Sequence, residues 1–334
     1  MKRMLTIILV FCVIFTSTGL AEAPQEHIQQ SDGSVSIDAT VFSAPVATLP
    51  DQAVQAIDMG NYAERAVQLF PCPEGYYCSG DEYGFLYSDN ISDAVTCVVS
   101  MNREDRLPND DNVSLEFLSR EDAATRSVDF LQEQFGLSTQ VYEICALTQE
   151  MYDSLYDVNR DILEADLAAG SPQGATAQID WGGSDVCYIV RLGILANGIP
   201  FLPYAGQSRA GDEQSSFKQN SSEVTLLLFP DGIHYLSIRL RVWNMNGVVG
   251  DEQPILSAEQ AIQAYCSARN EQLSTQNYAV DEIMLVYAVD ENIAHPYWCF
   301  RRYIPVDFGD GTSIEMFTFD LIDAVTGELL GGIL

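Results

Sequence analysis

The chain predicts an α+β fold in which antiparallel sheets, built as meanders and hairpins, carry a few helices packed on one face. Three observations predict it. Short apolar runs with strand-like alternation recur along the chain and are joined by Asn-Gly or Asp-Gly turns. A few longer stretches place apolar residues at helical spacing instead. Hydrophobic residues make up 47% of the 334 positions, enough for a sizeable core.

Residues 1–23 read as a secretory signal peptide. Met1-Lys2-Arg3 supply positive charge, Leu5 to Phe15 form an apolar run, and Ala21 and Ala23 fit the small-residue cleavage rule. Cleavage after Ala21 fits as well as cleavage after Ala23. The run falls short of the roughly 20 apolar residues that a membrane-crossing helix needs. The expectation is a secreted or cell-envelope protein with no stable membrane anchor after cleavage.

Residues 24–33 are polar and read as loose. Ser34 to Val41 alternates like a half-buried strand. Residues 51–70 are mixed and partly helical, and 71–84 form a loop. Phe85 to Tyr87 and Ala94 to Met101 read as strands. Ser119-Arg120-Glu121-Asp122 opens a helix by the cap-x-x-acid pattern, Val128, Leu131 and Phe135 continue one face, and Gly136 stops it. A strand follows at 139–147 and a second helix at 149–168.

Residues 170–184 are a Gly-rich linker. Hairpins follow at Val186–Leu202, turning at Asn197-Gly198, and at Val224–Trp243, turning at Pro230-Asp231-Gly232. Asn246-Gly247 marks the exit. A helix opens at Ser257-Ala258-Glu259-Gln260-Ala261, and strands follow at Ile283–Val289, Tyr297–Pro305 and Ile314–Asp323. The openings at Ser119 and Ser257 echo each other faintly. The division is a signal peptide at 1–23, an α+β body at 24–250 and an αβββ module at 251–334.

The terminal helix and three strands end in Asp323-Ala324-Val325-Thr326-Gly327-Glu328. Together they resemble the PepSY-type module. There, a helix opening Ser-x-Glu-x-Ala packs on a small sheet that ends in Asp-Ala-x-Thr-Gly-Glu. With Gly198-Ile199-Pro200 in its hairpin, the whole chain looks like secreted families of unknown function from Gram-positive, clostridia-type bacteria. It is loosely similar to YycI-type regulators of sensor kinases. The resemblance implies a regulatory or inhibitory attachment and no catalytic residues.

Charge excludes some partners. The formal net charge is −32, and losing residues 1–23 makes it one unit more negative; Lys218 is then the only lysine. Such a surface repels nucleic acid and anionic membrane, whose recognition needs Lys and Arg against phosphate. It suits solubility outside the cell, or a basic partner. Seven cysteines lie beyond the signal segment: Cys72, Cys78, Cys97, Cys145, Cys187, Cys266 and Cys299. Cys72 and Cys78, around Pro73-Glu74-Gly75, are the candidate disulfide. Cys187 and Cys299 sit among apolar neighbours, where cysteine serves as a small core residue.

No motif assigns catalysis. His27 lies in a polar tail, His234 in a strand, and His295 precedes Pro296, with no His-Glu-x-x-His anywhere. Ser215-Ser216-Phe217-Lys218 matches Ser-x-x-Lys only in a polar loop and lacks its partner motifs. The acidic turns Asn109–Asn112 and Asp307–Asp310 lack the alternating ligands of an EF-hand. No metal or cofactor is expected. Arg239 and Arg241 in one strand, and Tyr297, Trp298, Arg301 and Arg302 in another, form the candidate partner-binding set in a chain poor in base. The alternative is that these arginines pair with the surplus of acids. The leading expectation is a non-catalytic secreted protein that binds a protein or peptide, as an inhibitor or sensor accessory. A secreted carboxylate-dependent hydrolase and a surface structural protein are the alternatives.

Overall fold

A computed structural model of the chain describes residues 25–70, 77–81, 84–100, 113–168, 179, 181, 185–203, 221–271, 278–307 and 313–333. These residues form two sheets and five helices. The eight-stranded sheet contains β1 (Gln25–Asp32), β2 (Val35–Phe42), β3 (Thr48–Ala56), β11 (Trp243–Pro254), β12 (Tyr278–Asp290), β13 (Ile293–Asp307), β14 (Ser313–Asp323) and β15 (Leu329–Ile333). Its order is β1-β2-β12-β13-β14-β15, and β3 pairs with both β13 and β11. Among the described pairs of strands, β2 with β12 is parallel and the rest are antiparallel.

The seven-stranded sheet contains β4 (Tyr77–Asp81), β5 (Gly84–Ser88), β6 (Thr139–Leu147), β7 (Cys187–Ala196), β8 (Ile199–Pro200), β9 (Ser222–Phe229) and β10 (Gly232–Leu240). Its order is β4-β5-β10-β9-β7-β6, with β8 hairpinned onto β7. The helices are α1 (Gly60–Leu69), α2 (Asn90–Ser100), α3 (Arg120–Phe135), α4 (Gln149–Ala168) and α5 (Ala258–Glu271). The strand expected at 34–41 and those expected beyond 250 share one sheet, so hydrogen bonding groups β1 to β3 with the C-terminal strands.

Alternation along β7 shows how the second sheet is covered. Tyr188, Val190 and Leu192 point to the side that holds Ala66 of α1 and Ala123, Val128 and Leu131 of α3. Cys187 and Ile189 point to the side that holds Val95 and Val98 of α2 and Tyr152 and Leu155 of α4. Both faces are therefore apolar and both carry helices, which corrects the expectation of helices on one face.

Two helix starts are set by the same local chemistry. The Asp122 amide donates to Ser119 Oγ at 3.1 Å, satisfying one of the amides a helix leaves without a partner. At Ser257 the exchange is reciprocal: the Gln260 amide donates to Ser257 Oγ at 3.3 Å, and the Ser257 amide donates to Gln260 Oε1 at 2.9 Å. α3 leads into strands that neighbour in chain order, β6-β7-β9-β10, and α5 leads into β12-β13-β14-β15. The echo between the two openings thus recurs in the layout of the sheets.

Three local expectations change. Residues 25–32 form an edge strand rather than a loose tail, because Asp32-Gly33 closes a hairpin onto β2. Asn270 of α5 clamps that turn, accepting from the Ser34 amide at 3.0 Å and donating to the Asp32 carbonyl at 3.3 Å. Residues 94–100 are helical, not extended. Asp89 caps α2 by accepting from the Ser92 amide at 2.7 Å, and the buried Ala94, Val95 and Val98 follow helical spacing despite β-branched side chains. Asn246-Gly247 does not end a strand: β11 continues through it with a register shift between Met245 and Gly247, where Gly247 takes a φ of 140°.

The sheets are stitched by main chain. Beyond β8, the Leu202 amide donates to the Tyr287 carbonyl at 2.8 Å, and the Leu202 carbonyl accepts from the Ser222 amide at 2.9 Å. One residue thereby joins β12 of one sheet to β9 of the other.

Glycine turns allow a graded test. Gly136 has a φ of 68° with open space around it, so Gly136→Ala should lower stability by about 1 kcal/mol through backbone strain alone. Gly33 has a φ of 59°, and an added Cβ would lie 2.3 Å from Asn270 Oδ1. Urea denaturation should show Gly33→Ala to be the more damaging of the two.

Candidate functional site

Where the sheets approach each other, each contributes a bulge. In β6 the register with β7 shifts between Val141 and Glu143, leaving Tyr142 as the extra residue. In β12 the register with β13 shifts between Val280 and Glu282, leaving Asp281 as the extra residue. A bulge re-aims side chains that simple alternation would send to opposite faces. Here each bulge sends two polar side chains into one charged seam.

On the first side, Tyr142 donates to Glu223 Oε2 at 2.6 Å, and Arg191 pairs with Glu143 Oε2 at 2.9 Å. On the other, Arg301 forks onto Asp281, Nε to Oδ1 at 3.0 Å and a terminal nitrogen to Oδ2 at 3.1 Å. Its remaining terminal nitrogen lies 2.8 Å from Glu282 Oε2. Burial pushes the Glu282 carboxyl up to about 7; Arg301 pulls it down, while Asp281 and Glu143 push it up. Arg301 already shares its charge with Asp281, so it compensates Glu282 only in part. Burial and the Glu223 carboxylate hold the Tyr142 phenol well above its ordinary value.

A narrow apolar cleft opens beside the seam. Gln140, Tyr142 and Gly193 line it from one sheet, Phe42 and Met284 from the other, and Phe201 from the connecting stitch. A second depression, along the exposed side of α4, is shallow and is lined by Glu150, Asp153, Asp157 and Val158 among others.

The second charged centre is buried between α5 and the eight-stranded sheet. Asp320 has no exposure. It accepts from Arg302 Nε and the Tyr265 hydroxyl at 2.8 Å each, and Arg269 reaches it at 2.5 Å. The Tyr278 ring lies beneath both guanidinium groups, 4.8 Å from Arg269 and 5.2 Å from Arg302. Tyr265 stacks on Phe300 at 4.3 Å between centroids.

The candidate partner-binding residues do not converge. Arg301 and Arg302 point to opposite faces of β13, one into the seam and one onto Asp320. Tyr297 is buried beside Cys299, and Trp298, only 2% exposed, donates from Nε1 to the Leu256 carbonyl at 2.9 Å on the other face. Arg239 is exposed on β10. That strand ends at Leu240, so alternation does not carry Arg241 to the same face; Arg241 lies over the Trp243 ring at 5.7 Å. Cys78 is half-buried in β4, while Cys72 lies outside the described residues, as do Ser215, Lys218, residues 109–112 and residues 308–310.

Each histidine meets carboxylate. His27 lies 2.9 Å from Asp38 on the exposed β1–β2 hairpin. His295 sits between Asp51 at 2.5 Å and Asp323 at 3.2 Å. Asp323 also accepts from the Val325 and Thr326 amides, so the acid of the Asp-Ala-Val-Thr-Gly-Glu segment shapes its own turn. His234 sits between Asp89 at 2.5 Å and Asp231 at 2.8 Å, fastening the β9–β10 turn to the start of α2. The hydrogen bond with Asp89 raises the His234 imidazole above its usual 6.5. For Asp89, burial pushes upward, but His234 and the Ser92 amide outweigh it and leave the carboxyl below 3.8. Among the described residues, no group of three His, Cys, Asp or Glu side chains is placed to hold a metal ion.

Sequence patterning missed the seam because its members are far apart in the chain and because bulges break the alternation that placed side chains on faces. The local signals were Arg301, already among the candidate residues, and the run of charge at Asp281-Glu282 inside a mostly apolar strand.

No family model matches the chain, and no curated protein matches it. Among solved structures, it resembles the 1.45 Å crystal structure of an uncharacterized protein from Eubacterium rectale ATCC 33656. The two are 14% identical, with a TM-score of 0.66 over 91% of this chain and 93% of that one. The likeness is one of fold and spans both sheets.

Two substitutions test the charged centres. Asp320→Ala leaves two buried guanidinium groups against each other and should cost about 3–5 kcal/mol in chemical denaturation. His234→Gln should cost about 1 kcal/mol, discounted for a half-buried pair. The raised histidine contributes fully below 6.5 and is lost as pH rises through its folded value; the lowered Asp89 contributes above 3.8 and is lost as pH falls through its own. Thermal melts of the two proteins should therefore differ most between pH 3.8 and 6.5.

Proposed function

We propose that this is an exported, non-catalytic protein that binds an extended, basic segment of a protein or peptide partner along the outer edge of β11. The carrying observation is that edge. β11 spans twelve residues and pairs with β3; among the described strands, none lies on its other side. Val248 is 61% exposed and Val249 is 39% exposed on it, where a soluble protein ordinarily keeps an edge polar or short. An added strand would take main-chain hydrogen bonds from the edge and seat side chains against these valines.

Charge supports the choice of a basic segment. Asp251 and Glu252 follow the valines on an exposed stretch, and the chain as a whole carries −32. The signal-peptide pattern supports export, and the PepSY-like ending supports a regulatory or inhibitory role. Arg191, Arg269, Arg301 and Arg302, which a hydrolase or anion-binding site could have used, are engaged with interior acids.

The test compares the wild type with the double variant Val248→Asp, Val249→Asp as bait against culture medium and cell envelope of the source organism. The expected outcome is a basic partner retained by the wild type and lost by the variant, with unchanged thermal melting. Repeated failure of the wild type to retain any partner from either fraction would remove the reading.

A further inference from the structure

The seam holds more negative charge than its cations compensate. From β6 come Tyr142 and Glu143, from β7 Arg191, and from β9 Glu223; from β12 come Asp281 and Glu282, and from β13 Arg301 with the Cys299 thiol. Glu282 lies beside Thr40 of β2 in the sheet. Four carboxyl groups thus face two guanidinium groups. Arg191 pairs with Glu143, and Arg301 forks onto Asp281. Glu223 is served by neutral hydroxyls, from Tyr142 and, at 3.3 Å, from Thr225.

Glu282 has a cation at one oxygen, Arg301 at 2.8 Å from Oε2, and shares that cation with Asp281. It is 4% exposed, and its Oε1 is buried with no hydrogen-bond partner among the described residues. An ionised carboxylate with a bare buried oxygen is costly, and a neutral carboxyl avoids most of that cost. The pairing is irregular on both sides of this point: Asp281 is the extra residue against β13, and against β2 the extra residue lies on β2, between Ile37 and Thr40.

We propose that Glu282 is a proton-operated latch between the two sheets: with its proton the seam closes, and without it the surplus charge loosens the apposition and widens the apolar cleft beside Tyr142 and Met284. The raised carboxyl value, near 7, agrees with this geometry. The sign follows from linkage. A carboxyl whose value is higher closed than open favours closure most below the open value, here taken as the ordinary 4.5. That preference falls as pH rises from 4.5 and levels off above about 7. The latch is independent of the β11 edge, so either can fail alone.

Hydrogen exchange, corrected for intrinsic rates, reads the latch at the amides of β6, of β12 and of Leu202. In the wild type, opening at these amides should rise by up to about tenfold per pH unit between pH 5 and 7. Amides of β9 and β10 facing α2 should not follow. Glu282→Gln should abolish the rise at the seam. Glu143→Gln removes one facing negative charge and lowers the closed-state value of Glu282, so the rise should end at lower pH and its total extent should shrink. Equal seam opening at pH 5 and 7 in the wild type would overturn the latch. So would an unchanged rise in Glu282→Gln. If that variant does not fold, an unchanged extent in Glu143→Gln would overturn it as well.

Discussion

A carboxyl group with no exposure to water needs partners that replace its hydration, and Asp320 has two guanidinium groups among them. Arg269 reaches it from α5 and Arg302 from β13, while the Tyr265 hydroxyl fills a further site on the same group. The arrangement fixes three things together. α5 is held at one height on the sheet, β13 and β14 are held in register, and the Tyr265 and Tyr278 rings lie against the guanidinium groups, with Phe300 stacked on Tyr265. Replacing such a cluster with apolar groups is often neutral, whereas removing one member strands the others. The cluster therefore specifies how helix and sheet dock more than it adds net stability.

The same constraint governs the rest of the interior. The chain has 16 Lys and Arg residues against 48 Asp and Glu. Acids on the surface are satisfied by water, but acids at a junction between elements are not. Arg191 and Arg301 are accordingly drawn to the seam between the sheets, and the histidines to the turns that Asp89, Asp51 and Asp323 anchor. What reads in the sequence as a scarcity of base becomes, in three dimensions, a short set of structural pins. Two of the arginines that look like a recognition surface in one dimension, Arg301 and Arg302, are pins themselves.

Much of the fold was legible because its signals are local. Ser119 and Gly136 bound α3 through amide and carbonyl groups a few residues away, and Asn197-Gly198 turns β7 into β8 with both residues at positive φ. The last helix and its strands follow from periodicity alone. What was not legible is non-local. The parallel pairing of β2 with β12 joins residues more than 230 positions apart in the chain, and no period announces it. α2 was hidden because its β-branched valines favour strands intrinsically, and only the Asp89 cap and burial on one side reverse that preference. Of the candidate site, the arginines were recognised as unusual, but their opposite facing along β13 decides their role, and that depends on acids elsewhere in the sheet.

The two bulges carry the argument from fold to behaviour. An unbroken β12 would send Asp281 and Glu282 to opposite faces, so that one acid reached Arg301 and the other did not. The shift between Val280 and Glu282 brings both to the same guanidinium and leaves one buried oxygen unserved among the described residues. An unbroken β6 would likewise separate Tyr142 from Glu143, yet both engage seam partners. A bulge costs ladder hydrogen bonds, and two of them facing each other across one junction concentrate that cost where charge is already in excess. The main-chain stitch through Leu202 keeps the sheets together while the side chains of the seam disagree. The junction is thus held by backbone and strained by charge, the combination from which a proton-sensitive contact between two otherwise rigid sheets is built.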